Sequence, residues 1–247
     1  MLGIIGGSGL TKLPDLAMTG TREVRTPYGD PSSALVFGQI AGRDVVFLAR
    51  HGAEHTIPPH RINYRANLRA MHDAGVGEIV AVFSVGGIAA GLGPGAIVVP
   101  DQLIDYTWGR DHTYFDGHDN NVVHIDFTRP YTQSLRVALL DAARQAGIPA
   151  TGTGVYGAVN GPRLETAAEI DMLERDGVTI VGMTGMPEAA LARELDIGYA
   201  ALAVSVNHAA GRGDSADRIS LEQIRSALEP AMIHVRKILE LWIQGHD

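Results

Sequence analysis

"GIIGGSGL", residues 3–10, sets a short apolar run directly against two glycines, a serine and a third glycine. That order reads as a buried strand ending in a tight turn with its backbone amides bare. It points to an α/β protein, where ligands gather at the carboxyl ends of the strands. Two familiar phosphate loops do not fit. The dinucleotide fingerprint is met by Gly7 and Gly9, but Lys12 stands at the third glycine, and Pro14 and Gly20 interrupt the helix that should follow. The P-loop pattern G-x-x-x-x-G-K-[ST] is not supplied between Gly6 and Lys12. What remains is a glycine turn with free N–H groups and the Ser8 hydroxyl. Such a turn suits a small anion, and it serves equally well as a plain strand end.

Outward from this stretch, strands are expected at 33–40, 43–49, 78–84, 95–99, 152–158, 178–182 and 198–206, after the first at 2–5. "RDVVFLAR" and "IGYAALAVSV" are rich in β-branched or small apolar residues and read as buried strands. Helices are expected over 63–75, 132–146, 166–176, 187–195 and 220–243. Thr166 followed by Glu169 forms a capping box, and Pro187 suits a first helical turn. The last helix has apolar residues at helical spacing, with a kink expected at Pro230. Strands and helices interleave to the end without linker or repeat. The expectation is one α/β domain over residues 1–247 with a central mixed sheet.

Composition narrows the function. The formal net charge is −8 and no long basic run occurs, which argues against a nucleic-acid partner. The chain has no cysteine, so disulfides and thiolate metal sites are excluded. No apolar stretch reaches the roughly 20 residues needed to span a bilayer, and the start lacks the basic region of a signal peptide. A soluble, cytoplasmic protein is expected.

The chemistry-bearing residues cluster after strands. In "RHGAEHTIPPHRINY", Arg50 and His51 stand where a strand ends. His51, His55 and His60 do not make a persuasive metal set, because Pro58 and Pro59 break any shared helical face. An anion site is favoured, since the Arg50 guanidinium matches phosphate oxygens as a fork. On that reading Arg50→Ala weakens phosphate binding and spares the fold. "FSVGGI", residues 83–88, offers Ser84 beside glycines, and "VGMTGMPE", residues 181–188, places Thr184 before a helix whose amides and dipole favour an anion. One hydroxyl–glycine turn means little, but three with Arg50 can converge on one oxyanion. Glu165 precedes the capped helix and Asn207 ends a late strand. Taken singly, each is an ordinary helix-start or strand-end residue.

Together, "GIIGGSGL", "TPYGDPS", "LARHGAEHTIPPHRINYRAN", "GPGAIVVPDQLID", "YFDG", "NGPRLET" and "GMTGMPEAALARE" resemble the trimeric purine nucleoside phosphorylases, most closely the methylthioadenosine phosphorylase branch. The resemblance runs through nearly the whole chain. It implies a three-layer α/β/α nucleoside phosphorylase fold, a homotrimer or a dimer of trimers, inorganic phosphate as cosubstrate, and no cofactor or metal. By position it implies phosphate contacts from Ser8, Arg50, His51, Ser84 and Thr184. It places Val85, Gly86, Leu164 and Met183 at the nucleoside, with Met183 under the ribose. His124 is implied as a residue lent to a neighbouring subunit, near the 5′ substituent.

One departure bears on the substrate. The adenine-cleaving members carry an aspartate pair where this chain has Asn207 and Ala209. The 6-oxopurine-cleaving members resemble this chain, with asparagine and glutamate at positions 207 and 165. The physics agrees. A 6-oxopurine presents N1–H to the Glu165 carboxylate, while Asn207 both donates and accepts. Adenine N1 is a lone pair and would meet Glu165 acceptor to acceptor. At the 5′ end, Leu221 stands where ordinary phosphorylases of this type place a histidine, and an apolar residue there suits a methylthio group. The expected activity is phosphorolysis of 5′-methylthioinosine. The alternatives are inosine/guanosine phosphorolysis, methylthioadenosine phosphorolysis, and a purine-binding sensor.

Overall fold

The computed structural model describes residues 1–117 and 121–246. Its strands are β1 (Leu2–Gly6), β2 (Ala17–Arg22), β3 (Leu35–Ile40), β4 (Arg43–Ala49), β5 (Glu78–Gly87), β6 (Ile97–Val98), β7 (Gln102–Asp105), β8 (Ala150–Thr151), β9 (Val155–Ala158), β10 (Ile180–Gly182) and β11 (Gly198–His208). Its α-helices are α1 (Tyr64–Asp73), α2 (Gln133–Gln145), α3 (Ala167–Arg175), α4 (Gly185–Glu194) and α5 (Leu221–Gln244).

Among the described residues the strands form one mixed sheet, with β2-β3-β4-β1-β5-β10-β9-β7 along one path and β11 also on β5. Alternate residues of β5 serve opposite faces, as the period of two requires. Ile79, Ala81 and Phe83 pack on the α1 and α4 side with Leu68, Met71 and Leu191. Val80 and Val82 pack on the α2 and α5 side with Leu139, Val235, Leu239 and Trp242. Both faces are therefore covered, which gives the expected three layers.

The expected elements match in position, with local differences. β2 and β7 lie outside the sequence expectation: they are edge strands and show no apolar alternation. The strand expected at 95–99 shortens to Ile97–Val98, the one at 152–158 shortens to β9, and β8 lies just before the expected range. The capping box at Thr166 forms with both reciprocal bonds. α5 runs helically through Pro230, and its buried face starts only at Ala231.

The sheet leaves one opening. β1 pairs with β5 in parallel only as far as Ile5 beside Ala81. β10 meets β5 antiparallel at Gly86 and Gly87. Among the described residues, no strand pairs with the β5 backbone between these two ladders on that side. The turns after β1, β4 and β10 and the end of β11 converge there.

Candidate active site

The opening forms a cavity of about 210 Å³. Gly7 and Ser8 from the first turn, Arg50 and His51 after β4, and Ser84, Val85 and Gly86 of β5 all line it. Leu164 and Glu165 enter from the segment before α3, Met183 and Thr184 from the connection after β10, and Asn207 from β11. Wider grooves elsewhere, such as one of about 600 Å³ along 91–97 and 148–151, collect none of these groups. Among the described residues no cluster of His, Asp or Glu has metal-binding geometry.

Each wall has a local cause. Gly9 has φ +81°, and a Cβ there would meet the Leu228 side chain at 2.8–3.0 Å, so only glycine lets the first turn lie against α5. Ser84 Oγ donates to the Ser8 carbonyl at 3.0 Å and ties β5 to that turn. β11 bulges between Ser205 and Asn207, and the bulge delivers both Val206 and Asn207 to the cavity. Asn207 Nδ2 donates to the His208 carbonyl at 2.6 Å, leaving Oδ1 and a second N–H for another partner.

Arg50 differs from the sequence expectation. It is wholly buried, and its fork is taken by Glu188: Nε donates to Oε2 at 2.6 Å and Nη2 to Oε1 at 2.8 Å. Nη1 donates to the Val82 carbonyl at 3.0 Å, a group that β1 no longer reaches. Tyr199 donates its hydroxyl to the same carboxylate at 2.8 Å. Burial opposes the guanidinium charge, but the adjoining Glu188 carboxylate outweighs it and holds the pKa above the ordinary arginine value. Arg50 thus presents its remaining N–H edge to the cavity, with its bidentate face spent on an internal carboxylate.

Thr184 also departs from expectation. Its N–H and that of Gly185 both donate to the Tyr156 hydroxyl at 3.2 Å, so these amides are capped from within. Met186 is non-helical (φ −122°, ψ 140°), and regular helix begins after it. What Thr184 leaves open to the cavity is its side chain, which has no hydrogen-bond partner among the described residues.

His51 Nδ1 lies 2.8 Å from the Ile57 carbonyl, which can only accept, so Nδ1 carries the proton and Nε2 a lone pair. Burial, with help from the charges of Arg50 and His55, pushes its pKa down to about 4. Near neutral pH it is an uncharged acceptor, suited to a protonated phosphate oxygen or a sugar hydroxyl. The stability consequence has a definite sign. The folded value lies below the ordinary 6.5, so the folded state takes up fewer protons than the unfolded chain between these values. The contribution is intact above about 6.5 and is lost as pH falls towards about 4. His51→Gln should therefore flatten the drop in Tm across that window, as measured by thermal melts of both proteins. An unchanged slope rejects the assignment.

Glu165 is half-buried, and burial raises its carboxyl above the usual range. The remaining expected residues lie elsewhere. Leu221 is 62% exposed at the first residue of α5, and the cavity is lined instead by Ile224 and Leu228 further along that helix. His124 is exposed and outside the cavity. Sequence reading misses Glu188, which stands in the sequence only as part of a helix start, and Arg110, which carries no motif.

The phosphorylase superfamily model matches residues 1–240. The chain belongs to that superfamily. A probable S-methyl-5′-thioinosine phosphorylase from Pseudomonas syringae is 51% identical over 236 residues, covering 96% of this chain and 95% of that protein. The 6-oxopurine nucleoside phosphorylase of Pyrococcus furiosus is 45% identical over 217 residues, covering 85% and 80%. Among solved structures, a methylthioadenosine phosphorylase from Schistosoma mansoni in complex with adenine superposes with a TM-score of 0.93 at 33% identity, covering 98% of this chain and 90% of that one. The superfamily fold is thus the three-layer sheet described above.

Proposed function

We propose that this chain cleaves S-methyl-5′-thioinosine with inorganic phosphate, releasing hypoxanthine and 5-methylthioribose 1-phosphate. The observation that carries the proposal is the presence of Glu165 and Asn207 in one cavity with the hydroxyls of Ser8, Ser84 and Thr184. The C1′–N9 bond breaks with its electron pair leaving on the purine, through an oxocarbenium-like sugar. A phosphate oxygen bonds to C1′, and the released purine anion takes up a proton. The chemistry needs position and charge stabilisation rather than a covalent nucleophile.

On the base side, a Glu165 carboxylate accepts from N1–H, and Asn207 offers a donor and an acceptor to O6 and N7. Adenine would leave Glu165 facing a lone pair, at about 1–3 kcal/mol or more. On the phosphate side we assign Ser8, His51, Ser84, the Thr184 hydroxyl and the free edge of Arg50. Val85, Gly86, Leu164 and Met183 are assigned to the nucleoside. The names of the relatives from Pseudomonas syringae and Pyrococcus furiosus point to the same class of base. The proposal includes a cytoplasmic homotrimer, or a dimer of trimers, in which His124 serves a neighbour's 5′ pocket.

The 5′ wall moves from Leu221 to Ile224 and Leu228, which are apolar and line the cavity. Burying a thioether methyl there gains about 1 kcal/mol, and a buried hydroxyl would lack a partner. The test is kcat/KM for methylthioinosine, methylthioadenosine, inosine and adenosine with phosphate. Methylthioinosine should be the best substrate. Ile224→His should shift preference towards inosine, whereas Leu221→His should leave the ratio within about twofold, as expected of an exposed position. Equal values for methylthioinosine and inosine would make the enzyme a general 6-oxopurine nucleoside phosphorylase. No phosphate-dependent release of base would leave only a purine-binding protein.

A further inference from the structure

Arg110 is buried, at 8% exposure, with no salt bridge to a carboxylate among the described residues. Such arginines are rare, because a buried guanidinium is normally paired. Here its two terminal nitrogens donate to backbone carbonyls and to one hydroxyl, while Nε is buried without a partner among the described residues. Nη1 donates to Met186 O at 2.5 Å and to the Tyr64 hydroxyl at 3.2 Å. Nη2 donates to Met183 O at 2.9 Å and Asn160 O at 3.0 Å. The guanidinium lies over the Tyr64 ring, 5.3 Å from its centroid.

These carbonyls belong to two segments that the sheet does not hold together. β9 and β10 run parallel as far as Ala158 beside Gly182, and one further bond joins Val159 N–H to Gly182 O. Past that point the connections separate, one leading to Leu164 and Glu165, the other to Met183 and Thr184. Gly161 has φ +61°, and a Cβ there would collide with Met183 Sδ, so the two connections touch face to face. Met186 is non-helical and precedes a proline, so its carbonyl sits outside the regular helix. An apolar side chain of similar size would fill the space but leave buried carbonyls without donors. Lysine offers a single point, whereas the guanidinium is a rigid planar fork.

We propose that Arg110 is the positioning residue of the nucleoside half of the cavity. It holds the two connections at a fixed separation and thereby sets Met183 against the sugar and Glu165 against the base. This rests on the proposed nucleoside phosphorolysis. Ser8, His51 and Ser84 hang on other strands, so most of the phosphate half is independent of Arg110; Thr184, on the connection between Met183 and Met186, is the phosphate contact that Arg110 also holds.

The test compares Arg110→Met, Arg110→Gln and Arg110→Lys with the parent, varying methylthioinosine at saturating phosphate and then the reverse. The Met variant should raise the nucleoside KM by about tenfold or more and the phosphate KM several-fold less, because Ser8, His51 and Ser84 keep their places and only Thr184 shifts with the connections. The Lys variant should recover part of the loss. A purely structural residue would lower kcat by loss of folded enzyme and leave both KM values alone, and that result overturns the proposal. So does an equal rise in both KM values, or loss of folding by all three variants in thermal melts. If the parent releases no base, the reading of the reaction fails. Calorimetric titration with hypoxanthine then decides on Arg110: weaker binding by the Met variant supports the assignment, and unchanged binding rejects it.

Discussion

Arg50→Ala should unfold far more readily than the parent, losing about 3–5 kcal/mol, because it strands the Glu188 carboxylate in a wholly buried site. For a chain of this size that is a fall in Tm of roughly 6–20 °C. Tyr199 alone cannot satisfy the carboxylate, since one hydroxyl supplies one donor. The sequence expectation that this replacement spares the fold is thereby corrected: the fork that matches phosphate is closed on Glu188. The paired replacement Arg50→Met with Glu188→Leu should regain most of the stability, because it removes both charges together. It should not regain the parent's phosphate KM, since the free guanidinium edge is gone. Thermal melts and phosphate titrations of the three proteins separate the two roles. A single variant that melts with the parent would show that the buried pair holds nothing.

Exchanging the base contacts should produce the other large effect. Asn207→Asp with Glu165→Gln should lower kcat/KM for methylthioinosine by about 10²–10³-fold, as when one transition-state contact is removed from a preorganised site. Methylthioadenosine should gain, because the introduced aspartate can protonate N7 and the introduced carboxamide N–H can donate to adenine N1. Glu165→Gln is the more informative of the two changes, since it keeps the size of the side chain and turns an acceptor into a donor. Copying the full aspartate pair of the adenine-cleaving branch is a poorer route. Ala209 is 1% exposed and packs with Ile88, Ile170, Leu173 and Val181, so Ala209→Asp buries a carboxylate among apolar groups. That variant should lose several kcal/mol before any change of substrate is read. A parent enzyme that already prefers methylthioadenosine would overturn the reading of both residues.

Local chemistry was legible in the sequence. The strand–glycine turn at 3–10, the buried strands at 43–49 and 198–206, and the Thr166–Glu169 cap depend on neighbours a few residues away, so their residues specify them directly. The strand-end residues of the cavity were legible for the same reason: an α/β sheet brings such ends to one edge. Edge strands β2 and β7 were not, because a strand that packs little needs no apolar pattern. Residues 221, 224 and 228 lie on one stripe of α5 by helical spacing, so the stripe could be read. Which turn of it meets the cavity is set by how α5 docks on the first glycine turn, through Leu228 against Gly9. Tertiary structure alone decided where the charges went. Arg50 and Glu188 stand 138 positions apart, and the carbonyls of Asn160, Met183 and Met186 that accept from Arg110 lie at least 50 positions from it. No local pattern announces such partners, because burial creates the need for them: a guanidinium that water would solvate in the open chain must find its acceptors wherever the fold encloses it.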